Sequence, residues 1–245
     1  MATPSLLLLV ADGRFPAGAH AHSGGLEAAV AAGRVSDLAT LAEFLAGRLA
    51  TAGLVGAAFA AAAHRAAAMP RSAGPDEVPR SDEVAHSATR SSTLVQLDAE
   101  LDARTAAPTL REVSRRQGRA LLRAGRAIWP DAAFGDLPAT PFGVHQPLVL
   151  GLLCAAAGLS RLDTATVAAY GTVTGAASAG VRLLGLDPYR VQSLLVGLAD
   201  ACDATAAEAA RAADDPPERL PAAAAPLADI HAEIHATWEV RLFAS

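Results

Sequence analysis

Leu38-Ala-Thr-Leu-Ala-Glu-Phe-Leu-Ala-Gly-Arg-Leu-Ala-Thr-Ala-Gly-Leu-Val-Gly-Ala-Ala-Phe-Ala-Ala-Ala-Ala-His-Arg-Ala-Ala67 is the stretch whose reading decides the fold. Leu38, Leu41, Phe44, Leu45 and Leu49 recur at three- and four-residue spacing, the period of an amphipathic helix. Ser36 or Asp37 stands in the N-cap position before it. The stripe then runs into an alanine-rich segment to about Ala67, and alanine has the highest helix propensity of all residues. The same bias holds throughout the 245 residues, which are 52% apolar but only 4% aromatic. Strand-type alternation is missing from the pattern, so closely packed helices are expected.

Working outward, a first helix begins near Leu26 and ends at Gly33. Further helices are predicted from Asp82 to about Leu101 and from Pro108 or Thr109 to Trp129, where Pro130 stops the chain. Two apolar helices fill Leu148 to Ala179, separated near Gly158–Asp163. Pro188 opens a long helix to about Ala213, and a short one covers Leu227–Val240. Proline-rich loops fall at 69–80 and 131–147, and the segment 214–245 reads as flexible. The expected fold class is therefore all-α: one domain over residues 1–245, a single bundle of about eight to ten helices.

Interior glycines need a reason, since each costs up to about 1 kcal/mol against alanine. Gly118 and Gly125, Gly151 and Gly158, and a seam of Gly171, Gly175, Ser178 and Ala179 stand out. Close helix–helix approach would explain them. The functional alternative is a subunit interface or a solvent passage along the seam.

Composition excludes several functions. All 20 basic residues are arginine, so any chemistry that needs a phosphate-loop or Schiff-base lysine is ruled out. The net charge of −5 argues against a general nucleic-acid binder. Cys154 and Cys202 sit in apolar helical contexts and read as buried free thiols. No basic leader precedes the short run Leu6–Ala11, and the uncharged stretches Leu49–Ala63 and Val144–Ser160 fall short of a membrane span. A cytoplasmic protein without membrane contact is expected.

The stretch richest in unusual chemistry is Phe15-Pro-Ala-Gly-Ala-His-Ala-His-Ser-Gly-Gly-Leu-Glu27. Its breakers make a shaped loop that ends by starting a helix, with Ser23 as the expected N-cap and Glu27 in the first turn, where a carboxylate suits the helix dipole. His20 and His22 lack the further ligands a stable metal site requires. His231 and His235 share a helix face, but His-Ala-Glu-Ile-His has its glutamate at the wrong offset for a zinc hydrolase. These four histidines are weak metal candidates at most, and no bound cofactor is expected. Arg111, Arg115, Arg119 and Arg123, with Arg116 and Arg126 beside them, form a basic stripe that only Glu112 neutralises within the helix. A solvated face, docking on an acidic partner, or nucleic-acid binding are its three readings. Asp214-Asp215 lacks the helical spacing of a diphosphate–magnesium site, and no catalytic signature is present. A helical enzyme of another kind remains as an alternative reading.

The Phe15–Glu27 loop resembles the N-terminal signature of the urease accessory protein UreF family, Leu-Pro-Val-Gly-Gly-Phe-Ser-Tyr-Ser-His-Gly-Leu-Glu. Pro16, Gly18, Ser23, Gly25, Leu26 and Glu27 match without gaps, and Ala32-Gly-Arg-Val35 continues the likeness. Leu101-Asp-Ala103, Gln117-Gly-Arg-Ala-Leu-Leu122, Gly151-Leu152 and Ala179-Gly-Val-Arg-Leu183 resemble later elements in the same order. His20 and His22 replace the family's aromatics, and Leu184–Gln192 departs from its Pro-Leu-Gly-Gln turn. The resemblance implies a non-enzymatic helical scaffold, usually a homodimer. It implies joining UreD (also called UreH) to the GTPase UreG and delivering nickel, held only in transit, to apo-urease. It further implies a partner surface from Gly18, His20, His22, Ser23, Gly25, Leu26 and Glu27 together with Arg182, Leu183 and Gln192.

Overall fold

The computed structural model describes residues 4–16, 18, 21–68 and 81–243, apart from the side chains of 81–86. The loop expected at 69–80, and His20, lie outside those residues. The described chain is helical throughout its regular elements: α1 (Pro4–Ala11), α2 (Leu26–Ala31), α3 (Leu38–Arg48), α4 (Leu54–Ala67), α5 (Ser81–Arg104) and α6 (Pro108–Ile128). They continue as α7 (Gln146–Ala156), α8 (Arg161–Leu184), α9 (Pro188–Gly197), α10 (Ala199–Ala212) and α11 (Pro226–Ala236). One π-turn over Leu49–Gly53 joins α3 to α4, so Leu38–Ala67 runs on without a break.

Local chemistry sets most of the ends. Asp37 caps α3, accepting the Thr40 amide at 2.8 Å while the Thr40 hydroxyl returns to the Asp37 amide. Ser160 and Asp163 form the same reciprocal box on α8. Proline opens α6, α7, α9 and α11, where its missing N–H would have had no helical partner. The long helix expected from Pro188 to Ala213 is instead two. Gly197 ends α9, and the Leu198 amide is shared between the carbonyls of Leu194 and Leu195 at 3.1 Å each. Val191 before the bend and Cys202, Ala206 and Ala209 after it are all buried.

α4 is the centre of the bundle, packed by α5, α7, α8 and α10. Leu38–Ala67 is long and apolar enough to cross a membrane, but every residue from Ala57 to Ala63 is buried by neighbouring helices. Small side chains permit this enclosure. A Cβ on Gly151 of α7 would run into the Ala60 carbonyl and lie 2.7 Å from the His64 amide nitrogen. Gly118 likewise admits the Val144 carbonyl. Close approach thus accounts for both glycines. Gly171 and Gly175 differ: a Cβ at either would meet nothing within 4 Å. Gly171 is exposed and Gly175 half-buried, whereas Ala179 at the end of the seam is buried.

The basic stripe on α6 finds its counter-charges on the neighbouring helix. Arg115 donates to Asp98 at 2.9 Å, to Asp102 at 2.7 Å and to the Gly143 carbonyl at 2.6 Å. Arg111 pairs with Asp102 at 3.7 Å, and Arg119 donates to the Phe142 carbonyl. Arg116, Arg123 and Arg126 stay exposed. Arg111 and Arg115 are therefore committed to the fold, while Arg119, though bonded to that carbonyl, stays exposed with Arg116, Arg123 and Arg126 along one face of α6.

Asp98 also accepts the His145 amide at 3.0 Å, and the His145 ring lies between Ser114 Oγ (3.0 Å) and Asp102 Oδ1 (3.1 Å). These three side chains form a Ser–His–Asp line, but the Ser114 hydroxyl accepts the Gln146 amide and Asp102 is shared with Arg115. The imidazole itself is fully enclosed. The line holds the start of α7 to α5 and α6.

Burial depresses the His145 pKa, and Arg115 adds to this against the pull of Asp98 and Asp102. Burial also lowers that of His64, whose Nε2 meets the Leu159 carbonyl at 2.8 Å. Both rings are neutral in the fold, so the unfolded chain takes up their protons first. Stability in urea should hold steady above about pH 6.5 and fall as pH drops below it, by at most about 1.4 kcal/mol per pH unit for each histidine. The loss ends once the folded rings protonate. A flat profile between pH 7 and 5.5 would contradict this.

Candidate functional site

The N-terminal turn reaches α2 by a route the sequence did not indicate. The N-cap is Gly25, at φ 88°, and not Ser23. Ser23 is fully buried two residues earlier, yet its hydroxyl still accepts the Glu27 amide at 3.3 Å, serving one of the helix's free donors from outside the cap. Leu26 is completely buried against Leu41 and Gly180 of α8. Gly18 sits half-buried at the other end of the turn.

Glu27 does not face solvent. Its carboxylate accepts three bonds from the far end of the chain: His235 Nε2 at 3.0 Å, the Leu242 amide at 2.8 Å and the Phe243 amide at 3.0 Å. Burial opposes its ionisation, but these donors outweigh burial and hold the carboxyl below its ordinary pKa. The buried Phe243 ring lies under Arg182, 4.7 Å from the guanidinium carbon. His235 also meets Trp238 edge-on at 4.7 Å. The described part of the C-terminal segment is therefore docked: α11 rests on α2 and α6, and residues 242 and 243 are tied to Glu27.

This clasp brings together Glu27, Arg182 and His235 of the residues singled out from sequence. Leu183 packs towards the core, and Gln192 is exposed on α9 away from the clasp contacts. The paired imidazoles of α11 part company: His235 is committed to Glu27, while His231 lines an open groove. Among the described residues no three His, Cys, Asp or Glu side chains converge to hold a metal ion. Cys154 and Cys202 are free and buried, and burial pushes the Cys154 thiol up to about 12.

The turn, α3, α8 and the C-terminal segment border that groove, which has a volume of about 1460 Å³. His22 lines it, as do Gly171, Gly175 and Ser178 of the α8 seam. On its floor Arg48 rises beneath Gly24 and donates from Nη1 to the Gly24 carbonyl. Gly24 sits at φ 63°, in the left-handed region that favours glycine, and a Cβ there would also lie 2.8 Å from Nη2 and 2.9 Å from Cζ. Sequence reading passed over Arg48, Phe243 and Trp238. The available signal was Arg48 itself, a charge on the apolar stripe seven residues after Leu41 and four after Phe44.

Fold and site define an all-α helical scaffold whose C-terminal segment is clasped to α2 beside an open groove. The family model for UreF matches residues 35–199. The chain is 40% identical over its whole length to the urease accessory protein UreF of Mycolicibacterium vanbaalenii, also covered completely. It is 41% identical, again end to end, to that of Mycobacterium marinum. With that of Mycobacterium tuberculosis it shares 41% over 209 residues, 85% of this chain and 86% of the relative. The chain belongs to the UreF family of urease accessory proteins, which are not enzymes.

Proposed function

We propose that this protein acts in nickel-dependent maturation of urease by joining UreD (UreH) to the GTPase UreG, modulating GTPase-coupled delivery of nickel to apo-urease. The carrying observation is the clasp. It fixes a C-terminal surface whose outward side chains are apolar: Val240 is 84% exposed and Leu242 67%. Leu227, Ile230 and Ile234 extend this surface along the outer face of α11, and the exposed Arg182 borders it. An apolar strip beside one cation is a docking surface for a protein. Glu27, Leu26 and Ser23 shape that surface from beneath, while His22 and Gly25 border the groove side and Gly18 shapes the start of the turn.

Nickel is cargo in this reading, passed between partners in the cytoplasm and not resident here. The open seam at Gly171 and Gly175 is where a second copy of the chain would approach to form the homodimer. The test is co-purification with UreD and UreG, together with urease activity in a strain lacking this chain. Co-purification and nickel-free, inactive urease are expected. Fully nickel-loaded urease in that strain would refute the role.

A further inference from the structure

Arg48 is a cation in an enclosed position without a counter-charge. It leaves the last turn of α3 immediately before the π-turn. Among the described residues its Nε, sealed from solvent, has no hydrogen-bond partner, and its one bond from the guanidinium goes to a neutral carbonyl, that of Gly24. Among the described residues no carboxylate lies within 4.0 Å of it. The Phe44 ring, centred 6.0 Å away, covers one side. Protein crowds the guanidinium on most sides, yet the groove still reaches it, so the residue is partly accessible while largely desolvated.

The other groove arginines are provided for. Arg104 pairs with Glu100 and caps the carbonyls of residues 217, 218 and 220, Arg182 lies on Phe243, and Arg34 is exposed to water. Glu43, the acidic neighbour on α3, is exposed and makes no ion pair with Arg48. Withdrawing a guanidinium from water without a counter-charge is strongly unfavourable. Burial accordingly lowers its pKa to about 10. Leucine or methionine would fill the same stripe position without that cost.

We propose that Arg48 anchors an oxyanion site on the groove floor, where a carboxylate or similar oxyanion meets the donors that Gly24 leaves unused. Arginine's planar fork suits such a group better than any other side chain. The oxyanion comes either as a free small ion or as an acidic side chain of a protein lying in the groove. The inference goes beyond the partner reading, and its first measurement needs only this chain.

The full chain is titrated with sodium formate and with sodium phosphate, against sodium chloride at equal ionic strength, reading Tm and the Arg48 Nε–H resonance. A free-ion site raises the wild-type Tm by about 3 to 6 °C over chloride at ten times the Kd. It also shifts the Arg48 resonance, and Arg48→Met shows no Tm response. If a protein supplies the carboxylate, free ions change nothing, but Arg48→Met, as stable as wild type when alone, loses at least about tenfold in affinity for the UreD–UreG complex. Arg48→Lys then recovers part of the loss. An equal Tm response in wild type and Arg48→Met means an adventitious ion only, and overturns the proposal. No ion response with unchanged complex affinity overturns it too. If no such complex forms, the ion titration alone decides.

Discussion

Replacing Glu27 with alanine is expected to release the C-terminal segment while leaving the bundle folded. The carboxylate is the common acceptor for His235 Nε2 and the amides of Leu242 and Phe243. Truncation leaves all three donors without that acceptor, and breaking a buried charged pair of this kind costs about 3–5 kcal/mol. The chain can relieve the cost only by undocking residues 237–243, because α4 and its neighbours make no bond to Glu27. The amides of Leu242 and Phe243 should then exchange with deuterium at least about a hundredfold faster, while α4 and α7 amides stay protected. Glu27→Gln keeps one acceptor oxygen and should fall between. Urease activation should drop with Glu27→Ala, and with Arg182→Ala, which strips the cation from Phe243. Unchanged exchange at Leu242 and Phe243 would show that the clasp does not hold the segment.

Acidification probes the same bond with the opposite sign from a base. The folded pKa of Glu27 lies below its unfolded value, so its contribution is complete above the ordinary carboxylate range and fades as pH falls through the folded pKa. Asp102, held low by Arg115 and His145 against burial, behaves alike. Both losses begin within the ordinary carboxylate range, whereas those of His64 and His145 begin near pH 6.5.

Gly151→Val should be the most damaging single change to the fold. Its Cβ has no room between the Ala60 carbonyl, the His64 amide and the Ala63 methyl, which would be 2.8 Å away. Backbone cannot rotate aside as a side chain does, so α4 and α7 must separate and open gaps along the central contact. Overpacking costs about 1–3 kcal/mol and more against backbone, so a loss of about 3 kcal/mol and a Tm lower by about 6 to 12 °C are expected. Gly171→Ala supplies the contrast. With nothing within 4 Å it should leave the single chain as stable or up to about 1 kcal/mol more stable, through helix propensity alone. Equal Tm losses at 151 and 171 would refute the packing account.

The helices were largely legible in the sequence because the information that makes them is local. The apolar period of Leu38–Leu49, the Asp37 and Ser160 caps and the N-terminal prolines each act within a turn or two of where they stand. The bend at Leu198 escaped because a single glycine in a helical pattern signals a break only weakly, and burial on both sides of the bend settled it. The arginine stripe was visible but its meaning was not. Arg115 is neutralised by Asp98 and Asp102, which lie 17 and 13 residues earlier on another helix. No helical spacing relates them.

The all-α class and the family likeness of the Phe15–Glu27 turn were thus determined by sequence alone, since each is written in neighbouring residues. The role of that turn was decided by tertiary structure. Glu27 reads as a helix-dipole carboxylate in a first turn until His235, 208 residues away, folds back to cover it. Arg48 reads as an ordinary polar position in α3 until the groove forms around it. Burial and counter-charge are properties of the assembled chain, because they depend on which distant segments exclude water from a group.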